Sequence, residues 1–149
     1  MNKVYLKSYY AGMGKYNQQR QRLENKCFKM EDSYLISDSY SIICLNDNYN
    51  LEVSDYTIKH NVIKMYDSFK DNYIFKNDIT LSDEEYTKID DMYSIDNKKA
   101  KTIIKIIKAD KISILEVKEY NYFSGKTPII YLENTKTKEH AYLLPCRNY

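Results

Sequence analysis

The chain has 149 residues, of which 43% are hydrophobic and 30% are charged, and its formal net charge at pH 7 is +2. This length suits one domain with one hydrophobic core, and this composition excludes an intrinsically disordered chain. No apolar run approaches the roughly 18 residues that span a bilayer, and the N-terminus lacks the apolar stretch of a signal peptide. We therefore expect a cytoplasmic protein without a membrane segment.

Charge is distributed unevenly along the chain. Residues 1–30 carry seven Lys or Arg and one Glu. Residues 31–97 carry five Lys or Arg and fifteen Asp or Glu, and residues 98–149 carry eleven Lys or Arg and five Asp or Glu. Neighbouring segments of opposite charge steer association and select partners. This distribution favours a binding protein over an enzyme.

The residue usage also indicates a source. Seventeen tyrosines, no tryptophan and far more lysine than arginine are what AT-rich codons specify, as in a phage, a plasmid, a large DNA virus or a low-GC bacterium. Tyrosine offers a flat face that stacks on nucleobases. Cys27, Cys44 and Cys146 lack any CxxC spacing, so we expect free thiols in a reducing compartment.

In the first third of the chain, residues 1–16 alternate loosely and predict an edge strand or a flexible arm. Helix formers dominate residues 17–30, where Leu23, Cys27 and Met30 fall on one helical face. The apolar pattern then changes to period two, which predicts strands followed by a turn rich in Asn and Asp. The predicted strands cover residues 34–36, 40–45 and 51–53, with the turn at 46–48.

Two helices are predicted in the middle of the chain. One starts near Ser54, and the other starts at Ser82 in a capping box whose acidic residues suit the positive end of the helix dipole. The first of them has an apolar stripe at helical spacing. That stripe consists of Ile58, Val62, Tyr66 and Phe69.

The last third of the chain is predicted to be rich in strands. Residues 102–107 fit a strand or a helix, whereas three later segments alternate clearly, and a polar hairpin loop over 133–139 joins the last two. No linker or repeat divides the sequence, so it predicts one α+β domain over residues 1–149. This single compact domain has an antiparallel sheet, two to three helices and a basic N-terminal arm or helix. The three strands are predicted over 112–117, 129–132 and 141–144.

Signals of catalysis are few. His60 and His140 are the only imidazoles, and neither has the spaced ligands of a metal site. No cysteine has a base that the sequence identifies, and neighbouring carboxylates diverge around a helix instead of converging. We therefore expect no catalytic residue, no metal, no cofactor and no enzymatic activity.

The basic N-terminal segment predicts a contact with nucleic acid or with a partner. Arg20, Arg22, Lys26 and Lys29 are spaced to neutralise phosphates, and Tyr16 is positioned to stack on a base. A solvated charged face is the alternative interpretation of the same residues.

The acidic middle of the chain predicts a second binding face. Carboxylates along the helix that starts at Ser82 can dock on a basic partner, or imitate the phosphate row of DNA. A solvated acidic face is again the alternative. The residues of this face are Asp83, Glu84, Glu85, Asp90 and Asp91.

Two segments resemble a single domain of the bacterial sliding clamps. Residues 36–43, with the sequence Ile-Ser-Asp-Ser-Tyr-Ser-Ile-Ile, resemble its strand-turn-strand, with Ser39 where the clamps usually have glycine. Within residues 128–147, the Pro-Ile-Ile-Tyr and Tyr-Leu-Leu-Pro-Cys-Arg runs resemble the closing hairpin of a clamp. The resemblance implies a role close to DNA processing.

Together these patterns favour a non-enzymatic phage or mobile-element protein that binds a host nucleoprotein or nuclease complex, or its DNA or RNA. Inhibition of a host nuclease of the CRISPR or restriction type is the most concrete form of this prediction. The alternatives are a protein-interaction module that docks through the acidic face and a stand-alone clamp-like domain acting in DNA replication. A clamp-like domain requires a closed oligomer.

Overall fold

A computed structural model of the protein describes residues 4–7, 9, 27–37, 41–51, 53, 59–80, 97–117 and 128–144. These residues form one antiparallel sheet with helices packed against it, so the predicted α+β class is confirmed. Residues 4–7 and 9 are helical. The strands are β1 (Cys27–Lys29), β2 (Ser33–Ser37), β3 (Ser41–Asn46), β4 (Tyr73–Thr80), β5 (Lys111–Val117), β6 (Ile129–Glu133) and β7 (His140–Leu143), and the helices are α1 (Lys59–Asn72) and α2 (Asn97–Ile107).

Two three-stranded meanders form most of the sheet, and their last strands meet in the middle. The strand order is β1-β2-β3-β7-β6-β5-β4, and every pairing is antiparallel. The helical residues 4–7 and 9 precede the first meander and α2 precedes the second, and both contribute to the same core cluster. The topology therefore contains the same unit twice, a helix followed by a three-stranded meander. The sequence itself shows no repeat.

Side chains alternate between the two sides of the sheet, and one side is largely aliphatic. We call it the aliphatic face. It is covered by α2 through Ala100, Ile103, Ile106 and Ile107, all at most 1% exposed. Burial of each of the three isoleucine side chains contributes about 1.5–3 kcal/mol. The strand residues of this face are Cys27, Tyr34, Ile36, Ile43, Leu45, Ile112, Ile114, Ile130, Leu132, Ala141 and Leu143.

The opposite side, which we call the aromatic face, packs against α1. Val62 and Tyr66 of this helix are buried and Phe69 is partly buried, as their helical spacing predicts. Ile58, the first residue of the predicted stripe, lies outside the described residues. The strand residues of this core cluster are Phe28, Leu35, Ile42, Cys44, Leu115, Ile129, Tyr131 and Tyr142.

The period-two segments give the most accurate predictions. β2, β3, β5, β6 and β7 all lie where alternation places them, and residues 47–48 form the predicted turn. The predicted hairpin loop also connects β6 to β7. In this loop Asn134 N donates to Glu139 O at 2.9 Å, and Lys138 N donates to Asn134 O at 2.8 Å.

Two predicted segments of extended chain are wrong. The N-terminal edge strand or arm is instead helical at residues 4–7 and 9, because Leu6 and Tyr9, three residues apart, bury on the same side. The third strand predicted at 51–53 does not form, since Leu51 and Val53 have no regular structure and Val53 is exposed.

The helix predicted over residues 17–30 is wrong at its C-terminal end, where β1 forms. Cys27 pairs with Ile36, and Phe28 pairs with Leu35. The two adjacent residues are both buried, on opposite faces of the sheet, which is the period of a strand and not of a helix. Residues 17–26 lie outside the described residues.

Two further elements depend on tertiary packing. The isoleucine-rich segment, which by sequence fits a strand or a helix, forms the second half of helix α2. There Ile103, Ile106 and Ile107 face the sheet. The prediction of a strand-rich region from residue 98 onward is therefore wrong for this segment. β4 is absent from the sequence prediction, because a register shift between Phe75 and Asn77 interrupts its alternation. None of the described helices is long and apolar enough to cross a membrane.

Candidate functional site

A cavity of about 310 Å³ opens on the aromatic face, between the C-terminal half of α1 and strands β4 to β7. The helix packs on this side of the sheet, and side chains of both elements line the cavity. Most of the cavity wall is aromatic. The lining residues are Tyr66, Phe69, Lys70, Tyr73, Phe75, Leu115, Tyr131, His140 and Tyr142.

The rings of this wall contact one another mainly through their edges. Phe75 meets Tyr131 at a centroid distance of 5.1 Å and an interplanar angle of 75°. Phe69 meets Tyr73 at 5.9 Å and 80°. Edge-to-face contacts are the favoured geometry for aromatic pairs. They orient neighbouring rings differently, so flat faces line the cavity from several directions.

Phe75 lies at the mouth of the cavity and is 54% exposed. The Lys111 Nζ atom lies 5.6 Å from the centroid of this ring and 3.8 Å from Glu133 Oε1. Lys70 of α1 lines the cavity as well. The mouth therefore combines an exposed aromatic ring with two lysine side chains.

Strand register places a row of polar side chains across this face. Cys44 of β3 pairs with His140 of β7, His140 also pairs with Glu133 of β6, and Glu133 pairs with Lys111 of β5. Paired residues in an antiparallel sheet share a face. Residues distant in the sequence therefore meet in one line beside the cavity.

His140 is held by two hydrogen bonds that fix its ring. Its Nδ1 lies 2.8 Å from the Lys138 carbonyl oxygen, which can only accept, so Nδ1 carries a proton. Its Nε2 lies 2.8 Å from the Tyr66 hydroxyl. Lys138 has a φ of 67°, a left-handed conformation that costs a non-glycine residue about 1–2 kcal/mol. The residue that orients the imidazole is thus itself strained.

Cys44 lies next to this imidazole and is only 8% exposed. Burial alone raises the pKa of the Cys44 thiol, but hydrogen bonding to His140, the charge of His140 and a hydrogen bond from Tyr66 together lower that pKa below its ordinary value. Burial correspondingly opposes the charged form of His140, whereas the hydrogen bond and charge of Cys44 raise the pKa of His140. Each group therefore favours the charged form of the other.

The tyrosine hydroxyls of the cavity stay protonated at neutral pH. Burial, together with the charges of Cys44 and Glu133, raises the pKa of Tyr142 to about 12. Burial and the interaction with Glu133 raise the pKa of Tyr131, whose hydroxyl donates to Glu133 Oε2 at 3.0 Å. The cavity therefore has hydrogen-bond donors among its rings.

Of the residues that the sequence assigns to the basic contact, only Lys29 is described. Its Nζ lies 3.8 Å from Asp47 Oδ2 and 4.9 Å from the centroid of Tyr34. It shares the aliphatic face with Tyr34 and lies on edge strand β1, so the sheet separates it from the cavity. The remaining residues of that contact, Tyr16, Arg20, Arg22 and Lys26, lie outside the described residues.

The predicted acidic face also stays a prediction, because Asp83, Glu84, Glu85, Asp90 and Asp91 all lie outside the described residues. His60 lies in α1. Within the described ranges, no group of three or more His, Cys, Asp or Glu is arranged to hold a metal ion.

The sequence identifies no base for any cysteine, and the structure pairs Cys44 with His140. Sequence reasoning missed His140 because the two residues lie on strands from different meanders and no local spacing connects them. The available signal was indirect. Cys44 and His140 each lie in a segment whose alternation predicts a strand. Neither segment indicates how the two strands pair.

Comparison of the chain with protein-family models, curated proteins and solved structures finds no match. The resemblance to a sliding-clamp domain therefore stays a prediction. The function has to be argued from the site itself.

Proposed function

We propose that the protein binds single-stranded nucleic acid by taking an unpaired base into the aromatic cavity. The observation that carries this proposal is the cavity itself, whose wall is mostly aromatic and whose mouth holds the exposed ring of Phe75. Aromatic side chains on a sheet face are a common platform for unpaired bases.

The size of the cavity supports one base and not a larger ligand. At about 310 Å³ it lies at the lower end of the range of small-molecule sites. Stacking of one base on an aromatic ring contributes about 1–3 kcal/mol and tolerates any base. The hydroxyls of Tyr73 and Tyr142, which also line the cavity, supply polar contacts to a base edge.

Entry into the cavity favours single strands over duplexes. A base in a duplex is stacked and paired, and it must be extruded at a cost of a few kcal/mol before it enters a pocket. The mouth of the cavity has Lys70 and Lys111 but no extended basic groove among the described residues. We therefore expect stacking to supply most of the affinity.

Salt dependence separates this proposal from binding through the N-terminal basic segment. For single strands, the logarithm of the binding constant falls by about 0.7 per phosphate contact for each tenfold increase in salt. Two lysines give a slope of about −1.4, whereas four cations such as Arg20, Arg22, Lys26 and Lys29 give about −2.8.

The proposal fits the wider expectation of a phage or mobile-element protein that acts on a host nucleic-acid-processing machine. Such machines expose unpaired strands, and occupation of an exposed strand is one way to inhibit a nuclease. The free thiols of Cys27 and Cys44 are compatible with the reducing cytoplasm in which this would occur.

Fluorescence anisotropy with labelled single-stranded and duplex DNA and RNA tests the proposal. We expect single strands to bind with a shallow salt slope. We expect Phe75→Ala to weaken binding about 5- to 150-fold, which corresponds to the stacking free energy of one base, about 1–3 kcal/mol. Ile74→Ala is the matched control, because Ile74 is similarly exposed but points to the other side of the same strand.

Equal weakening by Phe75→Ala and Ile74→Ala would contradict a site on the aromatic face. A steep salt slope with unchanged affinity in Phe75→Ala would instead assign binding to the basic segment. Circular dichroism of both variants verifies that each is folded at the temperature of the titration.

A further inference from the structure

We propose that Cys44 is a modification site, at which a hydroperoxide that enters the aromatic cavity oxidises the thiol with the help of His140 and Tyr66. This inference is independent of the ligand that the cavity binds. It depends on the arrangement of three side chains that the proposed nucleic-acid contact does not use for chemistry.

Three elements bring these side chains together. Cys44 and His140 are directly paired across β3 and β7, and Tyr66 of α1 packs onto them from above the sheet. The Tyr66 and His140 rings are stacked, with centroids 5.8 Å apart and an interplanar angle of 27°. Both rings line the cavity, and interactions with both side chains lower the pKa of the Cys44 thiol.

The hydrogen bonds have one consistent direction. Because Nδ1 of His140 donates to the Lys138 carbonyl, the imidazolium form has Nε2–H available for the Tyr66 oxygen, 2.8 Å away. The proton of the Tyr66 hydroxyl is then available to the sulfur of Cys44, and the interaction with Tyr66 lowers the pKa of this thiol. A thiolate at this position accepts from donors that the protein holds in place, which is what stabilises a reactive cysteine.

Access suits a small reagent. Cys44 is 8% exposed, so a bulky electrophile does not reach the sulfur, whereas its two neighbours form part of the cavity wall. Hydrogen peroxide is close to water in size, so we expect it to reach a sulfur whose neighbours His140 and Tyr66 line the cavity, although Cys44 itself does not. Cys27 makes a natural comparison, because it is 1% exposed and lies on the aliphatic face.

The electrostatic surroundings of the pair are mixed. Ser33 of β2 also donates to the Cys44 sulfur, and the Glu133 carboxylate favours the imidazolium form of His140. Glu133 is itself paired with Lys111. The other titratable groups that act on this cluster are Asp67, Asp71, Tyr131 and Tyr142.

The chemical step balances with the groups present. The thiolate sulfur of Cys44 attacks one oxygen of hydrogen peroxide, an S–O bond forms and the O–O bond breaks. The sulfur is oxidised to sulfenic acid, and the peroxide is reduced. The leaving hydroxide takes the Nε2 proton of the His140 imidazolium and departs as water, which leaves a neutral imidazole.

The test treats the full-length reduced protein with hydrogen peroxide, traps sulfenic acid with dimedone and maps the adducts by mass spectrometry. We expect the adduct at Cys44 to form at least about tenfold faster than at Cys27, because one hydrogen bond to a charged group shifts a pKa by about one unit or more. The rate at Cys44 should stay high below the pH at which ordinary thiols ionise. If the rate of oxidation at Cys44 instead rises with pH as it does for an ordinary thiol, peroxide reaches the sulfur but the protein does not activate it. That result would overturn the proposal.

Two conservative variants separate activation from packing. Tyr66→Phe keeps the ring and removes the hydroxyl, and we expect it to slow oxidation of Cys44 by about tenfold, the loss of one hydrogen bond to a charged acceptor. Tyr142→Phe is the matched control, because Tyr142 is equally buried in the same cluster and has no hydrogen bond to the sulfur. Equal rates in the two variants would overturn the proposal, as would an unmodified Cys44 in the wild-type protein.

Discussion

The two faces of the sheet use the same strands for different purposes. The aliphatic face is closed by α2 and the N-terminal helical segment, with isoleucine and leucine side chains almost fully buried. The aromatic face packs against α1, and among the described residues it carries a cavity, a set of contacting aromatic and imidazole rings and a row of polar side chains. The first face forms an aliphatic core, and the second carries the candidate site.

This difference follows from the period of a strand. In β7, His140 and Tyr142 point to the aromatic face while Ala141 and Leu143 point to the core. Site residues are therefore interleaved with core residues, and the well-packed core below holds the site in register. If this strand shifted its register by one residue, its core side chains would point to the aromatic face and its site side chains would point to the core.

The largest expected effect is on the aliphatic face. Ile103→Ala removes a fully buried side chain of α2, and we expect a loss of about 2–5 kcal/mol in the free energy of unfolding, because a cavity is left in a packed core. Nucleic-acid binding by the folded fraction should be unchanged. Urea unfolding measures the loss of stability, and fluorescence anisotropy without urea measures nucleic-acid binding. Impaired binding by the folded variant would show that the two faces of the sheet are coupled.

A smaller loss of stability is expected from Glu139, the buried carboxylate at the end of the hairpin loop. It accepts hydrogen bonds from Asn46 N and the Tyr49 hydroxyl, both at 3.2 Å. Glu139→Ala leaves these donors without their acceptor, and we expect a loss of about 1–3 kcal/mol. Thermal unfolding measures it, with Glu139→Gln as the control that retains an acceptor. A loss as large for Glu139→Gln would assign the effect to charge.

Relief of backbone strain should have an effect of the opposite sign. Lys138→Gly removes the side chain from a residue in the left-handed conformation. We expect the free energy of unfolding to rise by up to about 1 kcal/mol, because the relief of strain exceeds the cost of a more flexible unfolded chain. Lys108→Gly is the matched control, because Lys108 has a φ of 52° after α2, on the aliphatic side. If Lys138→Gly gives a gain and also retains the reactivity of Cys44, the strain is not needed to orient His140.

The smallest expected effect is on the pH dependence of stability. The lowered pKa of Cys44, held down by His140 against the effect of burial, stabilises the fold above the ordinary thiol pKa, and this contribution is lost as the pH falls through the lowered value. The raised pKa of His140 stabilises the fold below the ordinary imidazole pKa, and this contribution is lost as the pH rises through the raised value.

Stability should therefore decline on both the acid and the alkaline side, and Cys44→Ala should flatten both declines. Cys27→Ala, on the aliphatic face, should leave the shape of the curve unchanged. Urea unfolding at several pH values measures the two curves. Identical curves for the two variants would contradict a charged pair on the aromatic face.

Much of the fold could be predicted from local patterns, and the site could not. The alternation that predicts β3 and β7 is visible in the sequence, and so is the stripe of Val62, Tyr66 and Phe69 in α1. The pairing of Cys44 with His140 could not be predicted, because it needs the register between two meanders. That register is set by the simultaneous burial of both faces of the sheet, and not by any one segment.

By itself, the sequence determined the α+β class, five of the seven described strands and the apolar side of α1, because each of these depends on a periodicity within a few neighbouring residues. Tertiary structure decided that the isoleucine-rich segment 102–107 is helical, because only there does it cover the aliphatic face. It also decided that Cys27 and Phe28 belong to a strand and that Cys44 meets a base. Long-range pairing chooses among local conformations of similar energy, and in this protein the same pairing assembles the candidate site.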